Sequence, residues 1–116
     1  MFRILAVKIH KAINDDRKDL YEATRGNWAA AIDKCNADTV NYVVGIYEGL
    51  VVSAYEPKIW YSVIKDGEDR ERRRFDGTPV NRDLFKLFKS NEENIRNSFG
   101  RGQSIAYIEI DEKNKF

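Results

Sequence analysis

The chain has 116 residues, a length that one compact domain with a single hydrophobic core accommodates. Its 20 basic and 19 acidic residues leave a formal net charge of +1, which argues against a protein that coats nucleic acid through bulk charge. The single cysteine excludes an intramolecular disulfide and a cysteine-based zinc site, and it favours residence in the cytoplasm. We therefore predict one cytoplasmic domain over residues 1–116, and no membrane partner because no segment approaches the ~20 apolar residues that span a bilayer.

The first part of the chain predicts a strand and a helix separated by polar residues. Residues 2–9 are rich in Ile, Leu and Val, which is typical of a buried strand. Residues 14–26 are polar and indicate a loop or a single helical turn. Apolar side chains at 28, 31, 32 and 35 then fall on one face of a helix, which Asn27 can cap.

Residues 41–55 predict a β-hairpin, because two β-rich runs flank the turn dipeptide Glu48-Gly49. Centring the pairing on that turn places Tyr47 opposite Leu50, Ile46 opposite Val51, Gly45 opposite Val52 and Val44 opposite Ser53. Gly45 leaves a gap in one face of the hairpin. That gap indicates either a bulge or tight packing, or else room for a ligand or a bent strand.

The remaining elements complete the fold class. We predict that Pro57 ends the second hairpin strand, that residues 58–65 and 70–75 form two more strands, and that 103–110 form the last. Asn81 can cap a helix with an apolar stripe from Leu84 to Phe88, and residues 91–99 predict another helix that Gly100 ends. The order of a strand, a helix, a four-strand antiparallel meander, helices and a strand predicts an α+β fold whose mixed sheet can curl into a barrel.

Residues that carry catalysis or bind metals are sparse. His10 is the only histidine, and Cys35 falls on the apolar face of the predicted helix, so neither supports a nucleophilic triad. The acidic run 66–71 lacks the alternating ligand order of a calcium loop, and no glycine-rich phosphate loop appears. The sequence predicts a protein without a metal or cofactor, and more a binding protein than an enzyme.

Several polar and aromatic residues have two readings. In "RERRR", residues 70, 72 and 74 share one strand face and Arg73 the other, which suits either a solvated edge strand or a phosphate-facing surface, with Arg73 pointing inward. Trp28 and Trp60 are either core residues or platforms for a ligand. Arg101 and Gln103, set between glycines and a strand, can donate hydrogen bonds to a base edge or a phosphate.

Four blocks of sequence occur in the order "YEATRGNW", "YVVGIYEGLVVSAYEPKIW", "RRRFDG" and "IRNSFGRGQSIAYIEI". Together they resemble a family of small bacterial and phage domains in the PUA-like (ASCH/EVE-related) group, found alone or appended to GIY-YIG nuclease or restriction-type proteins. The resemblance covers residues 19–110, nearly the whole chain. It departs from the family at Gln103-Ser104-Ile105, where the family pattern has Asn-Pro after the Gln.

The resemblance implies a strongly curled PUA-like sheet or pseudo-barrel of about six strands with two to three flanking helices. Barrels of this kind hold a nucleobase or a short stretch of nucleic acid in a cleft beside the barrel. By this resemblance, with Arg73 added from the basic run, the candidate ligand-binding residues are Tyr21, Thr24, Arg25, Asn27, Trp28, Trp60, Arg73, Arg101 and Gln103.

The expected function is a non-catalytic module that recognises a nucleobase or nucleotide, including a modified base in DNA or RNA. One alternative is a phage anti-defence sponge that sequesters a free or cyclic nucleotide immune signal, and such proteins often assemble as homo-oligomers. Further alternatives are a nucleotide hydrolase or nuclease accessory, and an adaptor that binds another protein through the sheet edge. Salt dependence separates the first two, because contacts to several phosphates give a steep loss of affinity with salt.

Overall fold

The computed structural model describes residues 2–9, 20–26, 28, 40–64 and 71–111. Within these ranges the elements are, in chain order, β1 (Phe2–Lys8), α1 (Leu20–Arg25), β2 (Tyr42–Tyr47), β3 (Leu50–Ile64), β4 (Glu71–Pro79), α2 (Arg82–Ser90), α3 (Glu92–Asn97) and β5 (Ile105–Ile110). The strands form one sheet in the order β4-β3-β2-β1-β5. β1 and β2 are parallel and the other neighbours antiparallel, which confirms an α+β fold with a mixed sheet.

The sheet is open, because β4 and β5 lie at opposite edges and do not pair with each other. The expected strongly curled pseudo-barrel of about six strands is therefore not seen. The described residues form five strands because the predicted break at Pro57 does not occur. No helix within the described ranges is long and apolar enough to cross a membrane.

β3 continues through Pro57, contrary to the prediction that this residue ends a strand. Pro57 lies opposite Gly77, whereas the next aligned pair is Ile59 with Asp76, so Lys58 is an extra residue on β3. A bulge tolerates proline because the regular ladder is interrupted there. Gly77 permits the close approach, since a Cβ at that position would lie 2.3 Å from the carbonyl oxygen of Glu56. The predicted four-strand meander is thus a meander of three.

The hairpin between β2 and β3 has the predicted turn and a different register beyond it. Both turn residues have positive φ, 50° at Glu48 and 81° at Gly49, as a two-residue hairpin turn requires. The pairs next to the turn are those predicted, but Gly45 pairs with Ser53 rather than with Val52. Val52 is the extra residue of a bulge, and the predicted pairing is wrong by one residue from there onward.

Each face of the sheet has its own apolar core. On the first face, α1 packs through Ala23 against Leu5, Val7, Val43, Tyr55 and Phe75, all of them buried. On the second face, α2 and α3 pack against the strands; the buried residues there are Ile4, Ala6, Val44, Ile46, Val51, Ala54, Leu87, Phe88, Ile95 and Ile110. Residues that alternate along one strand therefore belong to different cores, as the period of two requires.

The helices of the second face begin as predicted. The Asn81 side chain accepts a hydrogen bond of 2.9 Å from the backbone N–H of Leu84, which caps α2. Leu87 and Phe88 are buried as the apolar stripe indicates. α3 is shorter than predicted and ends at Asn97, where the Ser98 hydroxyl donates to the carbonyl oxygen of Ile95.

The outer edge of β3 near the hairpin turn is closed by a side chain from α3. β4 has ended at this level, and the N–H of Val51 donates to the Glu92 carboxylate at 2.7 Å. Lys89 binds the same carboxylate oxygen at 2.8 Å. These two contacts lower the pKa of the Glu92 carboxyl below its usual value, the hydrogen bond from Lys89 being the larger cause. Side chains on strand edges oppose unwanted pairing with other chains.

We expect Glu92→Gln to destabilise the domain by about 1 kcal/mol at neutral pH, because a charged acceptor for two donors is lost. A carboxyl whose folded-state pKa is lowered stabilises the fold above its unfolded pKa, and that stabilisation is lost as the pH falls through the folded value. The difference between wild type and variant should therefore shrink on acidification. Urea unfolding at neutral and acidic pH measures it, and an unchanged difference would contradict the assignment.

Candidate functional site

Two side chains of α1 cap the outer edge of β4. The N–H of Val80 donates to the carbonyl oxygen of Ala54 on β3. Because backbone groups alternate in direction along a strand, those of Phe75 and Gly77 point away from β3. The N–H of Gly77 donates to the Tyr21 hydroxyl oxygen at 3.2 Å. Arg25 Nε donates to the carbonyl oxygen of Phe75 at 3.0 Å. The predicted ligand-binding residues Tyr21 and Arg25 thus form hydrogen bonds with backbone groups on the outer edge of β4.

Arg25 also contacts two side chains of the domain. Its Nη2 atom forms an ion pair with the carboxylate of Asp76, and its side chain is only 15% exposed. The guanidinium carbon lies 5.0 Å from the centre of the Tyr21 ring, which suits a cation–π contact. Arg25 is therefore largely buried and held by groups of the protein itself.

Thr24 fills the gap that Gly45 leaves in the sheet. Its buried hydroxyl donates to the carbonyl oxygen of Leu20 at 2.6 Å and lies 2.7 Å from the hydroxyl oxygen of Ser53. A Cβ on Gly45 would come within 2.2 Å of the Ser53 hydroxyl and 2.9 Å of that of Thr24. Of the two readings of Gly45, the structure shows a bulge with tight packing.

Both tryptophans pack at the margin of the first core. Trp28 forms an isolated β-bridge rather than the start of a helix, and its indole Nε1 donates to the carbonyl oxygen of Thr24 at 2.7 Å. The rest of the predicted helix, including Asn27, lies outside the described residues. The ring of Trp60 is 5.3 Å from that of Phe75, and its buried Nε1 has no hydrogen-bond partner within the described part of the chain.

Arg101 and Gln103 lie far from this group of residues. They belong to a turn closed by a 3.0 Å hydrogen bond from the Gln103 N–H to the carbonyl oxygen of Gly100, and they are exposed. The turn leads into β5, at the opposite edge from β4 and at the opposite end of β3 from Trp60. Strand spacing and rise put it roughly 14 Å across the sheet and about 20 Å along it from Trp60, so one nucleobase does not touch both.

The structure thus brings together five of the nine predicted site residues: Tyr21, Thr24, Arg25, Trp28 and Trp60. It separates Arg101 and Gln103 from them. Asn27 and the side chain of Arg73 lie outside the described part of the chain. The five that meet make hydrogen bonds and ring contacts mainly with one another and with the sheet, and their role in ligand binding stays a prediction.

The distal part of the β3–β4 hairpin presents an exposed face that carries arginines of the predicted phosphate-facing surface and, from β3, residues that were not among the predicted site residues. Beyond Tyr55, β3 pairs with β4 and not with β2, and residues 59–64 with 71–76 form a two-stranded ribbon. Ile59 and Tyr61 remain 53% and 40% exposed on it. They lie on the face opposite Trp60, and Tyr61 is directly across from Arg74. The alternation of side chains along residues 58–64 could have indicated that Ile59 and Tyr61 share a face. Which face that is depends on the bulge at Lys58, which the sequence does not show.

A carboxylate fixes the phenol of Tyr61. The hydroxyl of Tyr61 donates to the second oxygen of Asp76, whose first oxygen binds Arg25. This hydrogen bond raises the pKa of the Tyr61 phenol, because only the protonated phenol can donate it to the Asp76 carboxylate. Arg25, Asp76 and Tyr61 therefore form a continuous chain of contacts from α1 to the exposed face of the ribbon.

A shallow apolar groove of about 300 Å³ lies where β4 ends. Its walls come from the start of α1, the middle of β3 and the start of α2: Leu20, Val52, Ser53, Ala54, Tyr55, Pro79, Val80, Asn81, Arg82 and Phe85. Most of its surface is apolar, and the Asn81 side chain is already used to cap α2. Within the described ranges, no group of three His, Cys, Asp or Glu side chains is arranged to hold a metal ion.

Comparisons with known proteins add no family to this description. No protein-family model, no curated protein and no solved structure matches the chain. The class that the fold defines is a small α+β domain with an open mixed sheet covered by helices on both faces. The surfaces of the domain itself are therefore the basis for its proposed function.

Proposed function

We propose that this domain is a non-catalytic binding module that recognises a nucleobase or nucleotide. The observation that carries the proposal is the exposed Tyr61 ring directly opposite Arg74 on the β3–β4 ribbon. An aromatic ring offers a stacking surface to any base, and an arginine beside it can bind the attached phosphate. The proposal includes the cytoplasmic location expected from the sequence, and it does not require a closed PUA-like barrel.

Preorganisation supports a binding role for Tyr61. A ring that rotates freely loses conformational entropy when a ligand orders it, whereas a ring already held loses less. The hydrogen bond to Asp76 holds the phenol, and the ion pair with Arg25 holds Asp76. Tyr21 and Arg25 then act through the position of Asp76: Tyr21 contacts the Arg25 guanidinium, Arg25 holds Asp76, and Asp76 keeps the Tyr61 ring in place.

Fluorescence anisotropy with labelled mononucleotides and a labelled short oligonucleotide tests the proposal. Loss of a stacked ring costs about 1–3 kcal/mol per base, so Tyr61→Ala should weaken binding about 5- to 150-fold. Leu50→Ala is the matched control, since Leu50 is similarly exposed at the other end of β3. If neither ligand binds the wild type, or if both variants bind alike, the proposal fails. Metal-dependent turnover of a nucleotide would favour an enzyme instead.

A further inference from the structure

We infer, on the basis of the proposed function, that the ligand of the ribbon is single-stranded nucleic acid that runs along β4. Arg72 and Arg74 lie on the same strand two residues apart, so they share a face with Tyr61. At a rise of about 3.3 Å per residue, their Cα atoms are ~6.6 Å apart. This separation is close to that of successive phosphates in an extended single strand. Two cations in that arrangement suit a chain of phosphates better than one nucleotide.

Both arginines can bind phosphate while keeping contacts within the protein. Each is partly buried and interacts with other groups of the chain. A guanidinium has five N–H donors, and a contact made by one side of the fork leaves donors for a phosphate oxygen. Asp76 lies on the same face two residues from Arg74, and its charge is offset by Arg25. Because Arg25 offsets its charge, Asp76 repels an anionic ligand less than an isolated carboxylate would.

The exposed side chains of β3 distinguish a single strand from a duplex. Stacking on Tyr61 requires a base with an uncovered face, which a base inside a duplex does not offer. Ile59 lies on the same face two residues from Tyr61 and is 53% exposed, so it extends the apolar surface for a neighbouring base. The apolar side chains of β3 can contact the bases of a single nucleic-acid strand, while the arginines of β4 contact its phosphates.

The salt dependence of binding tests this inference. For single strands, the logarithm of the affinity falls with the logarithm of the salt concentration by about 0.7 for each phosphate neutralised. We expect Arg72→Ala and Arg74→Ala each to reduce that slope by about 0.7, and the double variant by about 1.4. Lysine at either position should retain the slope. Arg82→Ala, an exposed arginine at the start of α2, is the matched control and should leave it unchanged.

Three ligands separate the possible outcomes: a single strand, its duplex and a mononucleotide of the same base. Tightest binding to the single strand, with the slopes above, supports the inference. Equal or tighter binding of the duplex overturns it. An unchanged salt-dependence slope in the double arginine variant, with its fold shown to be intact by circular dichroism, also overturns it. A mononucleotide bound with a shallow slope and lost in Tyr61→Ala overturns the single-strand inference and leaves the proposed function standing. No binding of any of the three overturns both.

Discussion

Replacing Phe75 by alanine is expected to destabilise the domain by about 3–5 kcal/mol, the usual cost of truncating a fully buried phenylalanine. Phe75 is fully buried on β4, and its ring centre lies 5.3 Å from that of Trp60, 6.2 Å from Tyr55 and 6.4 Å from Tyr21. Its removal leaves a cavity among three large rings that cannot collapse without moving α1 or the ribbon. Urea unfolding followed by tryptophan fluorescence measures the loss.

Phe85→Ala provides the comparison for this prediction. Phe85 is a phenylalanine of α2 that lines the shallow groove and is only partly buried. Its truncation removes less buried surface and leaves a site that water can fill, so the cost should be roughly half as large. If Phe85→Ala destabilised the domain as much as Phe75→Ala, the ring cluster around Phe75 would not be the centre of the first core.

Gly45→Ala is expected to destabilise the domain by about 2–3 kcal/mol, although it adds one methyl group. The added Cβ would lie 2.2 Å from the hydroxyl oxygen of Ser53 and 2.9 Å from that of Thr24. Both hydroxyls are buried and hydrogen-bonded to each other, so neither can move away without losing a bond. The strain falls on α1, β2 and β3 together, and thermal unfolding by circular dichroism should detect it.

A second substitution separates this clash from a general effect on β2. Ser53→Ala removes the nearer oxygen, so the double variant should regain part of the stability lost in Gly45→Ala. Gly102→Ala serves as the control for backbone strain alone, since Gly102 has a φ of 73° and no atom within 4 Å of an added Cβ. It should cost only about 1 kcal/mol. Absence of any rescue by Ser53→Ala would contradict the assigned contact.

Features that depend on a few neighbouring residues could be predicted from the sequence. The turn at Glu48-Gly49 and the cap at Asn81 are examples, because their chemistry is local. The passage of β3 through Pro57 could not be predicted, because it depends on Gly77 across the strand pair. The bulge at Val52 shifts the register for the same reason: Ser53 meets Thr24, a residue of a distant helix.

The structure brings only some of the predicted site residues together, and their binding role stays a prediction. The family resemblance grouped Tyr21, Arg25 and Trp60, and the structure places them around Phe75 and Asp76. The charged run "RERRR" indicated an edge strand as one of two interpretations, and β4 is an edge strand. That Tyr21 and Arg25 cap it could not be predicted, since nothing local shows which helix packs beside this edge. The resemblance also joined Arg101 to this group, although Arg101 belongs to the turn before β5 at the opposite edge of the sheet. Order along the chain carries no information on which edge of a sheet a turn occupies.

The spacing of Tyr21 and Arg25 along α1 fixes how this helix attaches to β4. Tyr21 and Arg25 are four residues apart, so both side chains lie on one face of α1, and they reach the N–H of Gly77 and the carbonyl oxygen of Phe75 on one edge of β4. Residues three or four apart share a face of a helix, and another spacing would turn one of the two side chains away from β4. The length of the segment "YEATR" is therefore constrained, although its composition resembles that of a loop. An insertion or deletion within it would break at least one of the two contacts that join α1 to β4.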